Sequence, residues 1–445
     1  MAALAEHKAQ ILRSVVEAAP DKVVRNLELA LAADPGGSLG AVRAMVEAES
    51  RERLMRNIVM APVAPLCVGA FSDGRQAFPA SVLTSVWRGL KAIDPEAVRE
   101  AMLACRPWEN GEGSPDLLDG LCALAAEHIR ARDPAPFAAA AEACDAAQPD
   151  GAARLASSLD LAPIARRALV KLPDWISRMT DERKAAVRLA YRDACLVADD
   201  AGPRFFDMLA AHLAEPWLIL RIISAAMDRP SERYVASSEM AGFAERSMTD
   251  VERRLTTVRV FDTTGGPRAG QAAGQTVLIV AEAIAEMEDA FELNKEAAWG
   301  KRVGEQKQSL AAVVEKRLKE IDGLTNMALP TVSVRTTGRL FKTLPKLTDE
   351  PSPPAIEKVL SLLAFAEEIR PAAGRAGFGA VRTKVLEKLH GRLDDYVEEL
   401  LDLLRHGEAE DPERVQAFLG VAADLYAMAK DEKAGQIVRR RAAAA

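Results

Sequence analysis

The chain has 445 residues, of which 49% are hydrophobic and 5% aromatic, with a formal net charge of -7 and a pI near 5.6. This apolar content excludes a disordered protein, and the length is enough for about three domains with a large buried core. Because aromatic residues are few, the core must consist mainly of Ala, Leu, Val and Ile, which favours close-packed helices. The acidic balance argues against general affinity for nucleic acids or anionic membranes.

The cysteines and the hydropathy pattern predict a cytoplasmic protein without a transmembrane segment. An odd number of cysteines without a C-x-x-C pair argues against a disulfide framework or a zinc site. Residues 1–13 have no apolar core typical of a secretory signal, and no uncharged apolar run reaches about 18 residues. Heavy use of Ala and Arg favours a bacterial source. The cysteines are Cys67, Cys105, Cys122, Cys144 and Cys195.

Residues 1–228 are predicted to form an array of short and medium helices. Four Asp-Pro pairs mark helix starts, because the carboxylate can cap a helix whose first residue is the proline. No repeat of fixed length is present, so the array is interpreted as a degenerate α-solenoid or stacked bundles. The pairs begin at Asp34, Asp94, Asp133 and Asp411. Helices are predicted at about 3–18, 21–33, 38–57, 79–92, 95–104, 114–132, 134–147, 151–159, 162–172, 181–199, 203–214 and 216–227.

The end of this array is predicted to be its densest core, and a short irregular segment follows it. Trp217, Leu218, Leu220, Ile222 and Ile223 are apolar nearly all round a helix. Residues 249–252 match a capping box that would open a further helix. Residues 256–261 and 331–337 resemble strands, which could pair as a hairpin or serve as extended linkers.

A long helical stretch dominates the central region, residues 232–343. Its apolar residues repeat at three- and four-residue intervals and form one stripe, here called the central seam: Val277, Val280, Ile284, Met287 and Phe291. A second stripe runs from Leu310 to Ile321, with Glu315 and Lys319 placed to pair one turn apart. The interruption at 294–304 predicts one kinked helix or a helical hairpin. The seam is predicted to bind a protein partner or a second copy of this chain.

Residues 265–276 are rich in glycine between a predicted strand and a helix, an arrangement that can bind phosphate. The P-loop lysine is missing, so a flexible linker is the favoured interpretation. A basic segment follows, in which Arg335, Arg339, Lys342 and Lys346 could meet an anionic surface. The favoured alternative is neutralisation inside the protein by the acidic residues between 394 and 402.

Other candidate sites have weaker support. Trp108 lies in a loop with two glycines and could anchor a partner. The E-x-x-H pair ending at His390 occurs once, whereas helical di-iron sites use it twice, so no metal site is predicted. No catalytic motif is recognisable, although a site assembled from distant residues would leave none.

The C-terminal part is predicted as a linker at 344–354, a helical bundle at 355–438 and a frayed end at 439–445. Three helices are predicted at about 354–370, 378–406 and 412–430.

Taken together, the sequence predicts an all-α, multi-helix protein with a long central helix or hairpin and a C-terminal three-helix unit. The favoured function is a non-catalytic cytoplasmic scaffold or adaptor that binds proteins through helical surfaces and needs no cofactor. The alternative is a module that binds a phosphate-bearing ligand or nucleic acid through the glycine segment or the basic segment. A protein partner or self-association is favoured over nucleic acid and over a small molecule.

Overall fold

A computed structural model describes residues 6–32, 39–69, 77–109, 115–198, 200–335, 341–429 and 431–445. The prediction of an all-α protein is confirmed, since the described residues form twenty α-helices and a single pair of short strands. The chain divides into two compact units, the first ending at Asp228 and the second spanning Arg229–Ala445. The finer division into a central region, a linker and a C-terminal bundle stays a prediction, as does the solenoid.

The first unit contains twelve α-helices in its described residues. They are α1 (Glu6–Ala18), α2 (Asp21–Ala32), α3 (Gly40–Val59), α4 (Ser81–Ile93), α5 (Pro95–Glu109), α6 (Asp116–Ala131), α7 (Ala135–Ala147), α8 (Gly151–Asp160), α9 (Ala162–Ser177), α10 (Asp181–Cys195), α11 (Ala201–Ala210) and α12 (Ile219–Ala226). As predicted, α12 and the turn before it are deeply buried: Ile222 and Ile223 are 0% exposed and Trp217 is 7% exposed.

Two of the four Asp-Pro pairs cap helices as predicted. Asp94 accepts a hydrogen bond from the Ala97 backbone N–H at 2.8 Å, and Asp411 accepts one from Arg414 at 3.1 Å. Asp133 does not cap a helix, because Pro134 itself occupies the N-cap of α7 and no side chain bonds there. The pair at 34–35 lies outside the described residues.

The second unit contains eight α-helices and a β-hairpin in the residues that the structure describes. They are α13 (Glu232–Ala236), α14 (Ala241–Arg259), α15 (Gly266–Ala290), α16 (Ala298–Ala328), β1 (Thr331–Arg335), β2 (Phe341–Pro345), α17 (Pro353–Glu368), α18 (Gly379–Arg405), α19 (Pro412–Met428) and α20 (Glu432–Ala444). Helix α15 packs along α17 and also contacts α14 and α16, which places it at the centre of the unit.

Two predictions around α14 are wrong. Residues 256–259 are helical rather than extended, and the capping-box residues 249–252 lie inside α14 rather than at its start. The helix persists because Val251, Leu255 and Val258 are buried on one face, so tertiary packing overrides the β-branched residues near its end.

The strand predicted at 331–337 is present as β1, but its partner is β2 and not residues 256–261. The two strands are antiparallel, with Thr331 opposite Pro345 and Arg335 opposite Phe341. A strand five residues away along the chain is the nearer partner, and closing a short loop costs less entropy than closing a long one.

Helix α16 begins with a long-range cap. The Glu232 carboxylate, 5% exposed, accepts hydrogen bonds from the backbone N–H groups of Asn294, Trp299 and Gly300 at 2.7–3.2 Å. A side chain at Gly300 would collide with the Asn294 carbonyl group, which explains the glycine in the predicted interruption.

The C-terminal end is helical, and whether it frays stays a prediction. Residues 439–444 continue α20, where Arg439 pairs with Asp424 and Arg441 with Glu398, both at 2.5 Å. Among the described residues, no helix has the length and apolarity needed to cross a membrane.

Candidate functional site

The central seam lies inside the second unit. Val277 and Val280 are 0% exposed, and the other three residues, Ile284, Met287 and Phe291, are at most 4% exposed. They are covered by helices of the same chain, because α15 is surrounded by α14, α16 and α17. The amphipathic pattern therefore finds its partner within the chain, and the seam residues do not form an accessible surface in this fold.

The glycine segment is helical rather than a loop, which corrects the interpretation of a linker or a phosphate-binding turn. Helix α15 starts at Gly266, and Gly270 and Gly274 face α17 so closely that a Cβ at either position would collide with Ser361 or Glu368. The glycines allow two helices to approach each other. No free backbone N–H groups are left at 270–276 for a phosphate.

The described part of the basic segment is partly neutralised within the chain. Lys342 lies 2.7 Å from a carboxylate oxygen of Glu399 on α18, which fits the favoured alternative. The Lys346 backbone N–H donates to the Pro330 carbonyl oxygen, and its side chain is exposed. Arg335 is described only by its backbone in β1, and Arg339 lies outside the described residues. The side chain of Trp108, on α5, also lies outside them.

The described cysteines and histidines belong to no group that could hold a metal ion. Burial raises the pKa of Cys122 to about 11 and that of Cys144 to about 12, so both thiols are protonated at neutral pH. His390 Nδ1 lies 2.8 Å from the Leu386 carbonyl oxygen of its own helix. In the described ranges, no group of three His, Cys, Asp or Glu side chains could hold a metal ion.

The feature that the sequence did not reveal is a groove between the C-terminal half of α16 and helix α18. It consists of two adjoining cavities that share Asp322, Lys388 and Arg392 as lining residues. The narrow cavity is about 450 Å³ and the wide cavity about 810 Å³. We call the two together the α16/α18 groove.

The narrow cavity has an apolar floor. Helix α18 contributes Val381, Val385 and Leu389, which recur every four residues and therefore lie on one face. Ile321 and Thr325, one turn apart on α16, complete the floor. Leu389 and Ile321 are buried, whereas Val381 and Val385 are only half-buried because no helix of the unit covers them fully.

The rim of the narrow cavity is basic. Among its described lining residues are four basic and two acidic side chains: Lys319, Lys384, Lys388 and Arg392, with Glu315 and Asp322. Lys319 pairs with Glu315 at 2.5 Å, as predicted from their spacing, and Lys388 pairs with Asp322 at 2.8 Å. Lys384 is exposed and has no ion-pair partner in the described part of the chain.

The wide cavity is slightly acidic. With the shared residues included, its described lining has three basic and four acidic side chains: Lys342, Lys388 and Arg392, with Asp322, Asp395, Glu398 and Glu399. The hairpin forms one wall through Thr331, Thr343 and Pro345. The groove is therefore basic at one end and acidic at the other, with an apolar floor at the basic end.

Arg392 stands at the junction of the two cavities. Its Nη2 donates to the Leu329 carbonyl oxygen at 3.0 Å and its Nη1 to the Asp322 carbonyl oxygen at 3.4 Å, so it fixes the end of α16 against α18. Burial lowers its pKa from the ordinary value, and Asp322 opposes that shift. An arginine nevertheless stays charged in a protein.

The sequence contained a signal for this groove, but the signal could not be recognised without the fold. Lys384, Lys388, Arg392 and Tyr396 recur every four residues along α18, next to the apolar row on the same helix. A polar stripe of this kind is common on a solvated helix face. Only its position opposite residues 315–326 of α16 turns it into the wall of a groove.

Comparisons of this chain with protein-family models, with curated proteins and with solved structures give no match. The groove is therefore interpreted from its geometry and chemistry alone.

Proposed function

We propose that this protein is a non-catalytic scaffold or adaptor that binds an amphipathic helical segment of another protein in the α16/α18 groove. The observation that carries the proposal is the apolar row Val381, Val385 and Leu389, whose two valines are half-buried, on the floor of an open cavity of about 450 Å³. Apolar residues one turn apart match the anchors that helix-in-groove recognition uses.

The length of the groove fits a helical segment. Its lining runs from Val381 to Glu399 on α18, which corresponds to about 27 Å at a rise of roughly 1.5 Å per residue. A helix of about 18 residues has the same length. A single small molecule would fill only part of this groove.

The charges support one type of partner and one orientation. The narrow cavity is rimmed mainly by lysine and arginine, so the partner's acidic end lies there. Its basic end lies beside Asp395, since the other two carboxylates of the wide cavity, Glu398 and Glu399, pair with Arg441 and Lys342. Such complementarity sets the orientation of a bound segment more than its affinity.

A cytoplasmic location belongs to the same proposal. Cys67, Cys122, Cys144 and Cys195 are free thiols, and a reducing compartment keeps thiols in that form. Self-association and a bacterial source remain predictions.

The test is selection from a library of random 18-residue peptides displayed on phage, with the full-length protein as bait. Val385→Asp places a charge on the apolar floor, and Thr383→Asp places the same charge at an exposed position of the same helix, outside the lining residues. Circular dichroism and thermal unfolding establish that both variants are folded.

We expect the wild-type protein to select amphipathic peptides that Thr383→Asp retains and Val385→Asp loses. A library that yields no peptide for the wild-type protein overturns the proposal. Peptides that bind Val385→Asp as well as the wild-type protein overturn it too, because their site is elsewhere.

A further inference from the structure

Tyr396 is the most unusual polar residue of the groove. It is 3% exposed and lines the wide cavity, yet its hydroxyl has no hydrogen-bond partner among the described residues. On the neighbouring helix α19, the Tyr426 hydroxyl donates to Asp394 at 2.5 Å. Buried tyrosine hydroxyls usually have a partner, so the unpaired group at Tyr396 requires an explanation.

Packing fixes the ring of Tyr396. It meets the Phe418 ring edge-on at 6.3 Å between ring centroids, in the core between α18 and α19. The hydroxyl is therefore held in place by the apolar part of the side chain, and not by a hydrogen bond of its own. Two buried serines, Ser157 and Ser361, also have hydroxyls without a partner in the described part of the chain, but neither lines the α16/α18 groove.

The hydroxyl ends a row of hydrogen-bond donors. Lys384, Lys388, Arg392 and Tyr396 follow one another at four-residue spacing on α18 and all line the groove; we call them the donor row. Burial raises the pKa of Tyr396 above its ordinary value, so the hydroxyl stays protonated and can donate. The carboxylate that pairs with the row is Asp322, at 2.8 Å from Lys388 and 3.9 Å from Arg392.

The row therefore carries more donors than its own unit satisfies. Two cations, Lys388 and Arg392, share the Asp322 carboxylate, and among the described residues Lys384 has no ion pair and the Tyr396 hydroxyl has no acceptor. The chemistry that would satisfy such a row is a set of acceptor oxygens with negative charge. Carboxylates at helical spacing along one face of a bound segment meet this requirement.

We infer that the donor row selects partner segments that carry carboxylates, and that the Tyr396 hydroxyl donates a hydrogen bond to one of them. This inference rests on the proposed function, since it names the chemistry of the segment that the groove binds. It assigns Tyr396 a role in recognition instead of a role in holding the fold.

The decisive variant is Tyr396→Phe in the full-length protein, because it removes only the hydroxyl and keeps the ring against Phe418. We expect the thermal unfolding midpoint of the free protein to stay the same or to rise, since no internal hydrogen bond is lost. We expect affinity for a groove-selected acidic peptide, measured by fluorescence anisotropy, to fall roughly tenfold or more, as for a hydrogen bond to a charged group.

The matched ligand is the same peptide with each Asp or Glu replaced in turn by Asn or Gln. At one position, the replacement should weaken binding to the wild-type protein and have little further effect on Tyr396→Phe, which identifies the carboxylate that the hydroxyl contacts. A lower unfolding midpoint for Tyr396→Phe together with unchanged peptide affinity would show that the hydroxyl serves the fold, and would overturn the inference.

Two further outcomes separate this inference from the proposed function. If the selected peptides depend on Val385 but contain no required carboxylate, the groove binds a partner and the inference alone fails. Octanoate, an amphipathic acid without a peptide backbone, is the competitor. If millimolar octanoate displaces the peptide, and if Tyr396→Phe also weakens the binding of octanoate, the ligand is a free organic acid. The assignment to a peptide is then overturned.

Discussion

The buried arginines of the first unit and the donor row of the second unit differ in how completely their polar groups are hydrogen-bonded within the described residues. Arg166 is 3% exposed, and its nitrogens bind Asp119 and the carbonyl oxygens of Ile58 and Val59 at 2.7–3.0 Å. Arg53, 7% exposed, likewise has all its guanidinium nitrogens bound within its unit. Among the described residues, the donor row instead includes a cation without an ion pair and a hydroxyl without an acceptor.

The cavity beside the buried arginine Arg53 is also smaller than the cavities beside the donor row. The cavity next to Arg53 is about 80 Å³, whereas the two cavities of the α16/α18 groove are about 450 and 810 Å³. A buried arginine whose hydrogen bonds are all made inside the protein holds helices together. A buried unpaired hydroxyl on a residue that lines a cavity is the arrangement expected where a ligand completes the hydrogen bonding.

The largest expected effect comes from removing a buried arginine of the first unit whose hydrogen bonds are all made within the protein. Arg166→Met removes the buried guanidinium that binds the half-buried Asp119 carboxylate and the carbonyl oxygens of Ile58 and Val59 at the end of α3. We expect the free energy of unfolding to fall by about 3–5 kcal/mol, as for a buried ion pair that loses one partner. Chemical denaturation measures this loss.

The matched control is Arg167→Met. Arg167 lies 3.8 Å from the same carboxylate, but its side chain is 58% exposed. We expect a loss below about 1 kcal/mol. If both variants lose the same unfolding free energy, the complete hydrogen bonding of the buried arginine does not decide the stability of the first unit.

A smaller effect is expected from the tight helix contact in the second unit. In Gly270→Ala, the added methyl collides with the Ser361 carbonyl group of α17, so α15 and α17 must move apart. Overpacking of this kind lowers the free energy of unfolding by roughly 1–3 kcal/mol. Gly304→Ala on α16 is the control, since a Cβ there meets no atom within 4 Å. It should raise stability by up to about 1 kcal/mol, because alanine favours a helix more than glycine does.

The N-terminal helix caps at Asp94 and Asp411 test whether the same kind of hydrogen bond stabilises the two units equally. Asp94→Ala and Asp411→Ala each remove a carboxylate that accepts a backbone N–H at the start of a helix. We expect both to lower the unfolding free energy by about 1 kcal/mol. Asp94→Asn and Asp411→Asn keep an acceptor and should restore most of it. A large cost in one unit only would show that the two units differ in local stability and not only in their polar groups.

The smallest expected effect is a pH dependence. Hydrogen bonds from Arg302 lower the pKa of Glu252, with Oε1 at 2.7 Å from Arg302 Nε. Because the folded-state pKa is below that of the unfolded chain, this pair stabilises the fold above the ordinary pKa of glutamate. The contribution is lost as the pH falls through the lowered value.

Arg302→Gln should therefore make stability fall less steeply between about pH 5 and pH 3. Urea denaturation at a series of pH values measures the slope, and Glu252→Gln should flatten it in the same way. If the pH profile of Arg302→Gln runs parallel to that of the wild-type protein, the pair does not contribute.

Most of the helices could be predicted from the sequence because their signals are local. The Asp94-Pro95 and Asp411-Pro412 pairs place helix starts within a few residues, and the period of the central seam predicts a helix at 277–291. The predictions fail where distant residues decide the structure. Residues 256–259 stay helical because α14 is buried on one face, and Gly270 lies within α15 where α17 leaves no room for a side chain.

The α16/α18 groove could not be predicted from the sequence for the same reason. The central seam, Val277 to Phe291, has the stronger pattern in the sequence, but a regular apolar stripe does not say which surface covers it, and here it is covered by helices of its own chain. Val385 and Tyr396 belong to rows that look ordinary on α18 alone. They become a candidate site because α16 and the hairpin stand opposite them.

By itself, the sequence determined the all-α class, most helix positions and the i,i+4 pair of Glu315 and Lys319, because each follows from the spacing of residues within one helix. Only the tertiary structure decided which apolar stripe is buried, why the glycines of α15 are needed and where donors remain unsatisfied. These depend on which helices pack together, and residues 60 or more positions apart, such as Asp322 and Lys388, have no spacing signal that connects them.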